Sequence, residues 1–265
     1  MKNILIKINY DGTNFHGFQV QPDERTVEGE INLGIEKTVK HPVKIFYAGR
    51  TDRGVHAEGQ YANFYSDTTI DIGNLPKVLN FNLPEDVSVV EARYVPDDFH
   101  ARYDAKLKKY RYVVHRSRYR HALLRNRAYE YPYEVDPDRM RKALSYLIGE
   151  HDFNSFMGKG AIVKDSIRSI DRIDVIEDGD FLYFDFVAKA FLKNMIRIVT
   201  GTVLEIGRGQ REIEYMKEAL EKKSRKAAGP TAPACGLYLL DVKYWVLGLF
   251  FILNLFFRNE TQRCF

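Results

Sequence analysis

The sequence predicts an α+β protein made of two ferredoxin-like, split βαβ halves. Strand-like alternation and helix-like periodicity follow one another as β-α-β-β-α-β over residues 4–95. A similar order returns over residues 110–242. The 265-residue length allows two domains of ordinary size.

The elements follow in order. Ile4, Ile6, Ile8 and Tyr10 alternate as a half-buried strand, and Asp11-Gly12-Thr13 ends it with turn chemistry. Val27, Ile31, Ile35 and Val39 recur at helical spacing after Thr26, a capping residue. Strands are predicted at Val43 to Tyr47, Gln60 to Tyr65 and Val87 to Val95, with a helix at Leu75 to Leu79. In the second half Tyr110 to His115 is a strand, and Pro137 to Ile148 a helix capped by Asp136. Ile167 to Ile176 and Phe181 to Ala188 form a hairpin about Glu177-Asp178-Gly179-Asp180. Phe191 to Ile206 is a helix that Gly207 and Gly209 end, and Leu237 to Val242 is a last strand. Two such halves bring antiparallel sheets together and leave a cleft between them, a favoured place for a ligand. The boundary falls near residues 98 to 106, which divides the chain into 1–105, 106–244 and a tail, 245–265.

Composition is that of a soluble globular protein, with 45% hydrophobic and 29% charged residues. The net charge of +4 says little about partners. Its distribution says more: ten basic residues and one acid, Asp104, lie between Arg102 and Arg127, with Tyr103, Tyr110, Tyr112 and Tyr119 among them. Cations interleaved with aromatic faces suit a nucleic-acid backbone and its bases. Cys235 and Cys264 make no CxxC pair, which fits a reducing cytoplasm. The N-terminus runs straight into a strand pattern without the apolar region of a signal peptide. The histidines lack metal-ligand spacing, and no phosphate loop or dinucleotide fingerprint is present.

Chemistry concentrates in Ala48-Gly49-Arg50-Thr51-Asp52-Arg53-Gly54-Val55-His56. A lone carboxylate, Asp52, stands between two arginines in a glycine-bracketed turn. Positive neighbours favour a charged carboxylate, which can serve as nucleophile, base or ion-pair partner. Arg50 and Arg53 can hold anionic groups of a ligand through forked hydrogen bonds. Arg197 sits in the apolar run Met195 to Val199, so it is expected to be partly desolvated and to need a carboxylate, with Asp52 as the candidate. Residues 245 to 257 are nearly all apolar, broken by Gly248 and Asn254. They are too few to span a bilayer, which takes about 20 residues as a helix. The expectation is an appendage without a catalytic role and no requirement for a membrane.

Five motifs stand at set spacing along the chain: Tyr10 to Gln19, Ala48 to His56, Lys108-Lys109-Tyr110-Arg111-Tyr112, Phe191 to Arg197, and Gly236-Leu237-Tyr238-Leu239. Together they resemble one family, tRNA pseudouridine synthase A. The likeness runs in order from residue 2 to 244, and the tail departs from it. It implies two ferredoxin-like domains with a continuous sheet floor and a central basic cleft. It also implies a homodimer holding tRNA across both subunits, without metal or organic cofactor, acting on uridines 38, 39 and 40. On this resemblance Asp52 is the nucleophile, helped by Arg197, and Tyr110 stacks on a flipped uracil. Arg50 fills the vacated stack or holds a phosphate, Arg53, Lys108 and Lys109 contact substrate, and Leu237 walls the base pocket. Two other readings stay open: a non-catalytic RNA-binding module, and a glycosidic-bond hydrolase using Asp52. The first lacks the aromatic consensus of the common RNA-binding sheet. The second generally needs a second catalytic carboxylate.

Overall fold

The computed structural model describes residues 1–161 and 163–244. The first half runs β1 (Lys2–Tyr10), α1 (Val27–Val39), β2 (Phe46–Tyr47), β3 (His56–Ser66), α2 (Leu75–Phe81) and β4 (Val87–Tyr94). The second runs β5 (Ala105–Arg116), β6 (Tyr129–Tyr131), α3 (Pro137–Ser145), β7 (Gly149–Asp152), β8 (Ile167–Asp178), β9 (Phe181–Ala188), α4 (Met195–Gly207), α5 (Tyr215–Glu221) and β10 (Leu237–Tyr244).

All ten strands join one sheet in the order β4-β1-β3-β10-β5-β9-β8-β7, with β2 on β3 and β6 on β5. Within each half the main ladders are antiparallel. The halves meet through a short parallel pairing of β10 with β3, Tyr238 opposite His56 and Leu239 opposite Ala57. The antiparallel ladders of the two halves therefore run on as one mixed sheet, because β10 leaves no edge between them.

Alternation then sorts the side chains. On β5, Tyr110, Tyr112 and Val114 are buried on one face, while Arg111 on the other face meets Asp185 of β9. Thr26 caps α1 by accepting from the Gly29 N–H, and Asp136 caps α3 by accepting from Asp138 and Arg139.

Three elements are shorter than the pattern predicts. Val43 to Ile45 do not pair, so β2 is only Phe46–Tyr47. After Ser145, i→i+3 hydrogen bonds from Leu147 and Ile148 replace the helix and lead into Gly149. Helix α4 starts at Met195 rather than Phe191, since Asn194 takes a left-handed φ of 58°. The apolar tail lies outside the described residues.

Candidate active site

The Asp52 turn is built by the first motif. Tyr10, at the end of β1, hydrogen bonds through its hydroxyl to the Thr51 hydroxyl at 2.8 Å, and the Phe18 N–H donates to the Thr51 carbonyl. The next chain segment passes so close that a side chain would not fit. A Cβ on Gly12 would lie 2.0 Å from the Val55 oxygen, and Gly17, at φ +101°, faces the Thr51 carbonyl. From below, the Gln60 amide donates to the Gly49 carbonyl and the Lys108 ammonium to the Ala48 carbonyl at 2.7 Å. The Val55 N–H closes the turn on the Asp52 carbonyl. Asp52 thus stands half-buried on a turn whose backbone is fixed from β1, β3 and β5. Among the described residues its side chain carries no ion pair. Arg50 and Arg53 are exposed.

Tyr110 lies on β5, near enough to Tyr10 and Asp52 to feel their charge. It is buried, with its ring edge-on to Phe191 at 5.2 Å, and it pairs across the ladder with Leu239. Burial, and after it Tyr10 and Asp52 nearby, push its hydroxyl above the ordinary phenol range. At neutral pH it is a neutral donor. Leu237 is buried two pairs further along, opposite Tyr112.

Arg197, in the first turn of α4, corrects an expectation. Its guanidinium is held by neutral oxygens, the Ala232 carbonyl at 2.8 Å and the Asn194 side chain at 2.9 Å, and not by Asp52. The chain around Ala232 returns the contact, its N–H donating to the Arg197 carbonyl. Carbonyls satisfy the directional N–H groups of a half-buried guanidinium and leave its charge uncancelled.

Lys108 and Lys109 also have protein partners. Lys109 forms an ion pair at 2.9 Å with Asp185, which is 1% exposed and also gripped by Arg111 through two hydrogen bonds. Burial pushes the Asp185 carboxyl up, but Arg111 and Lys109 outweigh it and hold it below the usual range. Lys108, half-buried against the Asp52 turn, is pulled from 10.5 to about 8, first by burial and then by Arg102. Between those values the folded state gives up a proton that the unfolded chain keeps. Stability therefore rises with pH across that window. Urea titrations of the wild type and Lys108→Met at about pH 7 and about pH 10 check this. The stability difference is expected to move in favour of the wild type at the higher pH, and a constant difference would contradict it.

A cleft of about 550 Å³ opens on the other face, lined by Asp11, His56, Arg111, Arg127 and Tyr238 among others. Strand alternation aims Tyr110 away from it, and neither Asp52 nor Tyr110 lines it. Tyr10, Thr51 and Asn194 lie inside the sequence motifs but were given no role there, and Ala232 lies outside them all.

The sequence matches the tRNA pseudouridine synthase family over residues 6–104 and 143–245. The chain belongs to that family. The synthase is 46% identical over 245 residues to tRNA pseudouridine synthase A of Anoxybacillus flavithermus, covering 92% of this chain and 99% of that protein. It is 42% identical over 244 residues to the protein of the same name from Caldicellulosiruptor bescii, covering 92% and 100%. With that of Halalkalibacterium halodurans it shares 44% over 238 residues, 89% of this chain and 90% of the other. The synthase is an enzyme of this family.

Proposed function

We propose that the protein converts uridine to pseudouridine at positions 38, 39 and 40 of the tRNA anticodon stem-loop, with Asp52 as nucleophile on a flipped-out base. The observation that carries this is a carboxylate without an ion-pair partner, on a turn braced from three strands, near enough to buried Tyr110 to act on its hydroxyl. The reaction breaks the N1–C1′ bond of uridine, turns the uracil and joins C5 to C1′. The C5 proton leaves and N1 gains one, so atoms and charge balance. Asp52 adds to the sugar carbon or to the base ring and then departs. Tyr110 stacks on the flipped base and offers its neutral hydroxyl near C5. Flipping costs a few kcal/mol, offset by such stacking. The uncancelled charge of Arg197 suits the negative charge that gathers on the detached uracil.

Each half of the sheet has the strand order expected of a ferredoxin-like unit, β4-β1-β3-β2 and β10-β5-β9-β8. This supports reading the chain as two such domains, 1–105 and 106–244, with 245–265 as an appendage. By family resemblance the enzyme works as a cytoplasmic homodimer on tRNA without a cofactor. No described helix is long and apolar enough to cross a membrane.

RNA contact shifts from the paired lysines to the loop after β5, where Arg118, Arg120 and Arg125 are exposed and carry no ion pair among the described residues. Replacing all three with Ala is expected to flatten the log–log salt dependence of tRNA binding by about 2 units, at roughly 0.7–0.9 per phosphate contact. Filter binding across a salt series reads this, and an unaltered slope would place the phosphates elsewhere. The reaction itself is tested with unmodified tRNA and nucleoside mass analysis. Pseudouridine without free base supports isomerisation. Free uracil supports the hydrolase, and binding without product supports the non-catalytic module.

A further inference from the structure

One segment touches both ends of the site and has no part in the chemistry above. Residues 229–236, Gly-Pro-Thr-Ala-Pro-Ala-Cys-Gly, form a strap that follows α5 in the chain and crosses α4 to reach the start of β10. It is pressed onto α4, where a Cβ on Gly201 would lie 2.0 Å from the Pro230 oxygen and the Gly229 N–H donates to the Thr202 hydroxyl. Pro230 and Pro233 restrict its backbone. Ala232 grips Arg197 twice, accepting from the guanidinium and donating to its carbonyl. Two residues on, the Ala234 methyl lies 3.2 Å from where a Gly54 Cβ would stand, against the turn that the Val55 N–H closes on Asp52. Between the two contacts, the hydroxyl of fully buried Tyr112 donates to the Pro233 carbonyl at 2.6 Å.

We propose that Tyr112 and Ala234 are positioning residues for the reaction, acting through the strap to set the spacing between the Arg197 guanidinium and the Asp52 turn. This rests on Asp52 and Arg197 acting together in the isomerisation proposed above. Arg197 belongs to the second half of the chain and Asp52 to the first. The strap contacts both within three residues, and Tyr112 clamps it from the strand that also carries Tyr110. Tyr112 touches neither the reacting atoms nor solvent.

The test uses the full-length protein with Tyr112→Phe, Ala234→Leu and the conservative Ala234→Ser. Tyr112→Phe and Ala234→Leu are expected to lower kcat on tRNA by about tenfold to a hundredfold, the scale of a displacement near 1 Å, with KM little changed. Ala234→Ser is expected to keep near wild-type turnover. Hydrogen exchange gives a readout independent of activity. In Tyr112→Phe the Val55 amide is expected to exchange faster, while Ile6 and Phe64 in the core of the first half keep their protection. Turnover within twofold of wild type in both Tyr112→Phe and Ala234→Leu, or a rise in exchange that spreads equally to Ile6 and Phe64, would overturn the proposal. If the wild type itself forms no pseudouridine, the functional reading fails, and exchange at Val55 still decides whether the strap holds the turn.

Discussion

Asp52→Asn is expected to lower kcat for pseudouridine formation by on the order of 10⁴ or more, the scale of losing a nucleophile. Affinity for tRNA is expected to stay within about threefold, since one amide replaces one carboxylate in a large, phosphate-dominated interface. The two effects separate because of where Asp52 stands. The hydrogen bonds that fix its turn come from backbone groups and from Thr51, Gln60 and Lys108, and none involves the Asp52 carboxylate. The carboxylate also has no ion pair among the described residues, so its loss leaves no buried charge behind. The melting temperature is therefore expected to be close to that of the wild type. Single-turnover kinetics with unmodified tRNA, beside a binding isotherm, provide the check. A parallel loss of binding would show that Asp52 holds substrate rather than attacking it.

The largest effect on stability is expected at Arg111. Its guanidinium makes hydrogen bonds of 2.6 and 2.9 Å to Asp185, which is all but inaccessible to water. Its plane also lies 4.8 Å from the Tyr183 ring. Arg111→Met leaves Asp185 with Lys109 alone, at a cost of about 3 kcal/mol, toward the lower end of what breaking a buried pair costs. For a chain of this size that lowers the melting temperature by roughly 6–12 °C. The pH dependence has a definite sign. In the wild type the Asp185 carboxyl sits below its ordinary value, so its contribution is present above the unfolded pKa and fades as the pH falls. In the variant, burial gains ground and the folded state takes up a proton more readily. The stability gap therefore narrows as the pH drops from neutral towards 4. A gap that stays constant over that range would mean that Asp185 is not the group left uncompensated.

Asp185 also shows which features could be read from the sequence. Strand β9 follows from its alternation, and Phe184, Phe186 and Ala188 are buried as the period requires. Asp185 sits on the other face of the same pattern and looks like an ordinary solvent-facing acid. Only the pairing of β9 with β5 brings it opposite Arg111, and that register is a long-range fact. For the same reason Lys109 and Arg111 read as part of a basic surface. The longer strands, the α1 and α3 caps and the cluster of chemistry at Asp52 depend on neighbours within a few residues and were legible, whereas the short β6 and β7 and helix α5 went unread.

The site was legible in its residues and less so in its connections. Tyr110 is buried near enough to Asp52 for that carboxylate to help push its hydroxyl up. An apolar helix rightly signalled that Arg197 would be half-buried with partners. It could not tell a carboxylate from a carbonyl, because the partner comes from the strap 35 residues away. The left-handed Asn194 that shortens α4 is likewise hidden in a sequence whose apolar run continues back to Phe191. That early break leaves Phe191 free of the helix to meet Tyr110 edge-on.

The most direct test of an Asp52-dependent isomerase places wild type and Asp52→Ala side by side on one unmodified tRNA that carries uridines at 38, 39 and 40. Pseudouridine is then mapped at single-nucleotide resolution. Pseudouridine at those positions with the wild type, and none with Asp52→Ala despite retained binding, is the expected result. Pseudouridine formed equally by both proteins would contradict the assignment of Asp52, and none formed by either would contradict the isomerase itself.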